Sequence, residues 1–255
     1  MKDFEKLYLT NEYVLQNPSL HVEDSHWKVT KIRQLLDGFL NDYKENFELQ
    51  KLSILDAGGG AGLILKKIAG EIEKNYGIEV KKYALDASPH ALEIQKETNP
   101  DLKKALNESI CKTSIKTNEI DLALFIDVLE HLPDPISALN ELKRVSKFVI
   151  MKVPLEDNLY CNTMNAITKG KFRENLIETC GHINVYDFKT LKHQIEENLG
   201  KIVNYYYTNV FQYLLSKSSN LRSKVINKFA AQLYRISPTL CSIIFYDFVI
   251  LLIKC

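Results

Sequence analysis

A chain of 255 residues that is 45% apolar and 25% charged can bury one large core and is too apolar to be disordered. Its 33 basic and 32 acidic side chains cancel, which removes any general electrostatic case for a nucleic-acid partner. The five cysteines (Cys111, Cys161, Cys180, Cys241, Cys255) are odd in number and form no C-x-x-C pair, so they suggest neither a zinc site nor a disulfide framework and fit a reducing compartment.

In chain order, the opening MKDFEKLYLTNEYVLQ has no signal-peptide apolar block, and a cytoplasmic location is expected. Residues 1–25 read as irregular, with Asn17–Pro18 as a breaker. Asp24 and Ser25 are N-cap candidates for a helix to about residue 46, whose apolar face is Val29, Ile32, Leu35, Leu36, Phe39 and Leu40. Lys51 to Gly62, KLSILDAGGGAG, then organises everything around it. Leu52, Ile54 and Leu55 make a buried strand, glycines 58, 59, 60 and 62 a turn, and Ile64, Ile68 and Ile72 one face of a helix. Such a turn lets a ligand approach the backbone and meet the free N–H groups of the helix start.

Glu79 to Leu85 reads as a second strand ending at Asp86, with Ser88 and Pro89 opening a helix. A third strand is expected around Leu102–Leu106. Ile120–Ile126, IDLALFI, has the all-apolar character of a central parallel strand. It runs into DVLEHLPDP, where Asp134 caps and Pro135 starts a helix. Ser146–Val153 is a fifth strand, Asp187 starts another helix, and Lys201–Thr208 and Phe245–Lys254 are the last two strands. The apolar run Leu240–Ile253, interrupted by Asp247, falls short of the ~20 residues of a bilayer span and reads as a terminal buried strand. Pro154–Tyr186 is too long for a mere connector and is the expected substrate side, with Tyr160, Asn162, Met164 and Tyr186 as lining candidates. Leu221, Val225, Phe229 and Leu233 form a helical stripe beside Lys224, Lys228 and Arg235. Packing against the domain is its preferred reading; a lid, or a basic face (221–235) resting on a membrane or meeting an acidic substrate, is the alternative.

The dinucleotide fingerprint G-x-G-x-x-G fails here, because Leu63 stands where the third glycine belongs and Asp86 lies 86 − 56 = 30 residues beyond Asp56. The pattern satisfied is D-x-G-x-G-x-G, Asp56 to Gly62, which resembles motif I of the class I S-adenosylmethionine (SAM)-dependent methyltransferases. DVLEHLPDP strongly resembles the block after strand four in the type 11 subgroup of that family.

The resemblance implies a Rossmann-like, doubly wound α/β fold with a mostly parallel seven-stranded sheet, order 3-2-1-4-5-7-6, its last strand antiparallel. One domain over 1–255 is expected: a helical cap (1–48), a SAM-binding core (49–208), a helical insertion (209–240) and a terminal strand (241–255). It also implies cofactor contacts from Asp56, Gly58, Gly60, Gly62 and Asp127, with Asp86 on the ribose and Ala87 beside the adenine. Glu108 and Ser109, with Asn107 as a third candidate, would stand near the adenine amino group. The segment before motif I often overlies the cofactor in this class, so Trp27 and Lys28 could line the site, although Trp27 reads better as a packing residue.

Methyl transfer from a sulfonium needs in-line positioning, and a base only when the nucleophile holds its proton. His131 and His182 are the candidate bases, His182 reading equally well as a loop hydrogen-bonder before the Asp187 helix. Ubiquinone-biosynthesis O-methyltransferases have a similar E-x-x-E-H block linked with a divalent metal; here a metal at Asp127, Glu130 and His131 is the alternative to the preferred, metal-free reading in which Glu130 and His131 fix the loop. A small-molecule acceptor is expected, since strand four ends in Asp127–Val128 rather than in the N-P-P-Y block of base-modifying relatives. The competing readings are a non-catalytic SAM- or nucleoside-binding module and an NAD-binding Rossmann oxidoreductase.

Overall fold

The computed structural model describes residue 20 and residues 22–46, 50–218 and 220–255. The Asn17–Pro18 breaker lies outside the described residues. Seven strands form one sheet: β1 (Lys51–Ala57), β2 (Glu79–Leu85), β3 (Lys104–Leu106), β4 (Ile120–Ile126), β5 (Ser146–Leu155), β6 (Lys201–Tyr207) and β7 (Asp247–Lys254). Their order is β3-β2-β1-β4-β5-β7-β6, with β7 antiparallel to both neighbours and the other pairs parallel. This is the expected topology, and strand order reverses between β1 and β4, which opens a crevice at their carboxyl ends.

The period-two alternation of buried strands explains the layers. Ile54, Leu122, Leu124, Ile150 and Ile250 face one side, where they meet α1 (Ser25–Asn46) and α2 (Leu63–Tyr76). Leu55, Ala123, Phe125, Met151 and Leu251 face the other, under α4 (Pro135–Val145) and α7 (Phe188–Asn198). Helix α3 (Pro89–Thr98) follows β2, its first turn closed by Ser88 Oγ accepting from the Ala91 amide at 3.3 Å. The Asp134 and Asp187 carboxylates cap α4 and α7 by accepting from Ser137 N at 3.0 Å and Thr190 N at 2.6 Å.

Three expectations change. The long stretch before Tyr186 holds two helices, α5 (Leu159–Ile167) and α6 (Lys171–Cys180). The apolar run from Leu240 is not all strand: Ser237 caps and Pro238 opens α10 (Pro238–Ile244), so the strand expected over 241–255 begins only at Asp247. Buried Asp247 pins that start by accepting from Thr208 Oγ1 at 2.8 Å and Val210 N at 3.2 Å, on the loop leaving β6. The helical insertion is therefore α8 (Val210–Lys217), α9 (Leu221–Ile236) and α10. Finally, α9 packs through its apolar stripe only at Leu233, which is partly buried: Asn227, Ala230 and Ala231 are its buried residues, while Leu221, Val225 and Phe229 are exposed.

Candidate functional site

The site begins where β1 ends. Gly58, Gly60 and Gly62 all take positive φ (73°, 55° and 71°), a region that costs a residue with a Cβ. Space matters as much as angle: a Cβ on Gly58 would lie 2.8 Å from Val128 Cγ2, and one on Gly59 only 2.2 Å from Asp56 Oδ2. The bend thus folds tightly over its own buried carboxylate. Burial and the nearby charge of Asp86 push Asp56 up to about 7. Helix α2 then starts from Gly62, which supplies no side-chain cap; the Leu65 amide of its first turn hydrogen-bonds instead to the buried Asp56 carboxylate.

The tip of β2 is tied to this bend. Asp86 Oδ2 accepts the Gly60 amide at 3.3 Å, and Oδ1 accepts the Ser88 amide at 2.9 Å. Burial raises this carboxyl to about 6 against those two hydrogen bonds. After β3, Asn107 Nδ2 donates to the Asp86 and Ala87 carbonyls at 3.0 and 3.1 Å, which draws that loop against the end of β2. Both Glu108 oxygens accept from Ser114, each at 2.7 Å. A cleft of about 350 Å³ runs between these segments, lined by Gly58, Gly60, Asp86, Ala87, Glu108, Ser109, Asp127 and His131 among others. Eight of the residues expected at the site therefore share one cavity. Asp56 lines a smaller adjoining hollow with Lys28, Gly58, Gly60 and Asp127. Gly62 lies outside both, its carbonyl accepting from Asn99 Nδ2 at 3.0 Å, and His182 stands behind His131.

Asp127 differs from its expected surroundings. It takes a left-handed φ of 56°, and its carboxylate lies between Lys28 Nζ at 3.0 Å and Lys152 Nζ. Burial opposes its ionisation, but the two ammonium groups hold it well below the ordinary carboxylate range. Lys152, fully buried in β5, lies 3.3 Å from the centre of the Phe248 ring. Sequence reasoning overlooked it; a lysine inside the apolar run SKFVIMKV was the available signal, because a buried ammonium requires a partner. Trp27 packs on Tyr213 and Phe248 with ring centres 5.2 and 5.9 Å away, while Lys28, its neighbour, reaches the hollow.

The imidazoles form a second cluster at the far end of the cleft. His131 Nδ1 lies 3.1 Å from the Gly181 carbonyl, and the His131 and His182 ring centres are 5.0 Å apart. His182 Nδ1 lies 2.8 Å from Glu156 Oε1. Burial works against a charged His182, but Glu156 raises its pKa. Glu130 is buried with neither carboxylate oxygen hydrogen-bonded; burial, with the charge of Asp127, pushes it up to about 8. One ligand atom from each of Glu130, His131 and His182 falls within 4.8 Å of the others, so these three, rather than Asp127, Glu130 and His131, are the residues that could hold a divalent cation. Asp127 is claimed by the lysines. Tyr160, Asn162, Met164 and Tyr186 do not line the cleft.

Residues 55–148 match the family model described as a methyltransferase domain. No curated protein matches the sequence. Among solved structures, a provisionally named sarcosine dimethylglycine methyltransferase from Galdieria sulphuraria superposes with a TM-score of 0.55 at 13% identity, over 87% of this chain and 85% of that one. Geranyl diphosphate C-methyltransferase from Streptomyces coelicolor, crystallised with Mg²⁺, geranyl-S-thiolodiphosphate and S-adenosyl-L-homocysteine, gives 0.55 at 10% identity over 81% and 70%. The [4+2]-cyclase SpnF gives 0.52 at 12% over 81% and 76%, so the fold is shared by proteins of different named activities.

Proposed function

We propose, from the match of residues 55–148 to a methyltransferase domain and from the cleft at the end of β1 and β2, that the chain moves a methyl group from S-adenosylmethionine to a small-molecule acceptor at oxygen, nitrogen or carbon. The observation that carries this reading is the hydrogen bond from the Gly60 amide to Asp86, at the mouth of a cleft that continues past Ala87 and Ser109 to Asp127 and His131. A carboxylate held at the tip of β2 can accept both hydroxyls of a ribose, and the glycine bend accommodates the amino-acid tail.

When bound, SAM supplies a methyl group already activated by the sulfonium charge. The chain's task is then to align the acceptor with it and to exclude water. Asp86 fixes the sugar; Ala87, Glu108 and Ser109 border the base. Lys28, beside Asp56 and Asp127 in the smaller hollow, is the cation placed to meet a carboxylate, and Asp56 is the anion placed to meet an ammonium. A zwitterionic tail thus finds both signs there.

His131 is the base where the acceptor holds a proton it does not release unaided. With Nδ1 donating to the Gly181 carbonyl, Nε2 is its basic nitrogen. His182, held by Glu156 behind that ring, orients it and does not itself reach the cleft.

Calorimetric titration with SAM, S-adenosylhomocysteine and NAD tests the cofactor. NAD binding without SAM binding would replace this reading with a dinucleotide enzyme. Labelled SAM with a panel of hydroxylated, amine and activated-carbon acceptors tests the chemistry. Tight SAM binding with no product from any acceptor would mark the chain as a binding module.

A further inference from the structure

Between Glu197 and Asp247 the chain contains no acidic residue, yet it carries Lys201, Lys217, Arg222, Lys224, Lys228 and Arg235. A protein with balanced overall charge therefore concentrates positive charge on β6 and the inserted helices. The apolar residues of α9 accompany it. At 100° per residue, Leu221, Val225, Phe229 and Ile236 fall within an arc of about 80°, opposite the buried Asn227, Ala230 and Ala231. They are 75%, 61%, 58% and 81% exposed. Lys224, Lys228 and Arg235 border one edge of that arc and Arg222 the other. Leu240 and Ile243 of α10 are also exposed, and α10 packs against both α9 and α5. Helix α5 has no charged residue and exposes Leu159 and Ile167.

A solvated helix does not ordinarily turn its apolar stripe away from its own core. The arrangement is that of a helix lying in an interface, apolar side down, with cations along its flanks. It lies at the working edge of the sheet. Leu155 at the end of β5 pairs with Asp247, and Tyr207 at the end of β6 pairs with Val249, so α5, α8 and α10 all join the sheet at its carboxyl edge, as does the cleft. No described helix is long and apolar enough to cross a bilayer.

We infer that the face formed by α9, α10 and α5 docks on an anionic phospholipid surface, apolar residues entering the interface and Arg222, Lys224, Lys228 and Arg235 meeting the headgroups. The charge pattern selects this occupant over a second copy of the chain. A symmetric contact through this face would set basic α9 against itself with no acidic side chain on that helix to answer it.

Cosedimentation of the full chain with vesicles tests the inference, using phosphatidylcholine alone and phosphatidylcholine with one third phosphatidylglycerol. Binding at least about tenfold tighter to the anionic vesicles, weakening as salt rises, is expected. Val225→Ser with Phe229→Ser should lower that binding by about tenfold or more, and Lys224→Glu with Lys228→Glu likewise. All four positions are exposed, and unchanged circular dichroism and melting would verify that the variants fold. Equal binding to neutral vesicles, no binding, or binding indifferent to both pairs of substitutions would overturn the proposal. So would a dimer in light scattering that the apolar pair disperses, which would assign the face to a second copy.

Discussion

Gly60 donates its backbone N–H to Asp86 Oδ2 at 3.3 Å, joining the bend after β1 to the carboxylate at the end of β2. The same contact fixes the carboxylate that the proposed ribose contact requires. Asp86→Ala is therefore expected to weaken SAM and S-adenosylhomocysteine binding at least about tenfold, on the order of 1.4 kcal/mol. Calorimetry on the purified variant measures it. Unchanged affinity would detach the residue from the cofactor.

The raised pKa of that carboxyl predicts a pH dependence. Asp86 is pushed up to about 6 by burial, so in the free protein it protonates as pH falls through 6. Ribose hydroxyls donate to the ionised form, so affinity should fall below pH 6 and level off above it, and Asp86→Asn should flatten the profile. Stability runs the other way. A carboxyl with a folded pKa above its unfolded value stabilises the fold at low pH and loses that contribution as pH rises through the folded pKa. Asp56, pushed up to about 7, and Asp86 should thus make the free protein less stable from about pH 4 to about pH 7. Asp56→Asn should shallow that slope in urea titrations across this range.

Gly59 is constrained by its neighbour rather than by its angle. A Cβ there would lie 2.2 Å from Asp56 Oδ2, so Gly59→Ala should cost on the order of 1–3 kcal/mol through overpacking. Asp56→Ser shortens the opposing side chain and should recover part of that loss in the double variant. A double-mutant cycle by thermal melting reads the coupling, and strict additivity would mean that the alanine is accommodated elsewhere.

The features legible in the sequence were those that local backbone rules enforce. Positive-φ glycines, the Ser88–Pro89 and Asp134–Pro135 helix starts and the apolar β4 need only near neighbours to be recognised. The strand order came from resemblance, and it agrees with the observed sheet. The stripe on α9 was misjudged because periodicity says which residues share a face, not which way the face turns. The Leu240 run was misjudged because a short apolar stretch suits helix or strand equally; the Ser237–Pro238 pair was the discriminating signal. The partners of Asp127 come from α1 and β5, far away in the chain, so spacing within DVLEHLPDP could not reveal them.

Those partners make the last prediction. Lys152 is 1% exposed, and Asp127 is its ion-pair partner. Asp127→Asn removes the countercharge and leaves a buried ammonium, so it should destabilise the protein by about 3–5 kcal/mol. Adding Lys152→Met removes that ammonium as well and should restore much of the loss. Lys28→Met should cost less, because Asp127 keeps Lys152, yet it should weaken SAM binding if Lys28 meets the cofactor's carboxylate. Urea unfolding of the three variants and calorimetry on the last separate the two lysines. A Lys28→Met protein as unstable as Asp127→Asn but with normal SAM affinity would make both lysines structural and leave the carboxylate to another group.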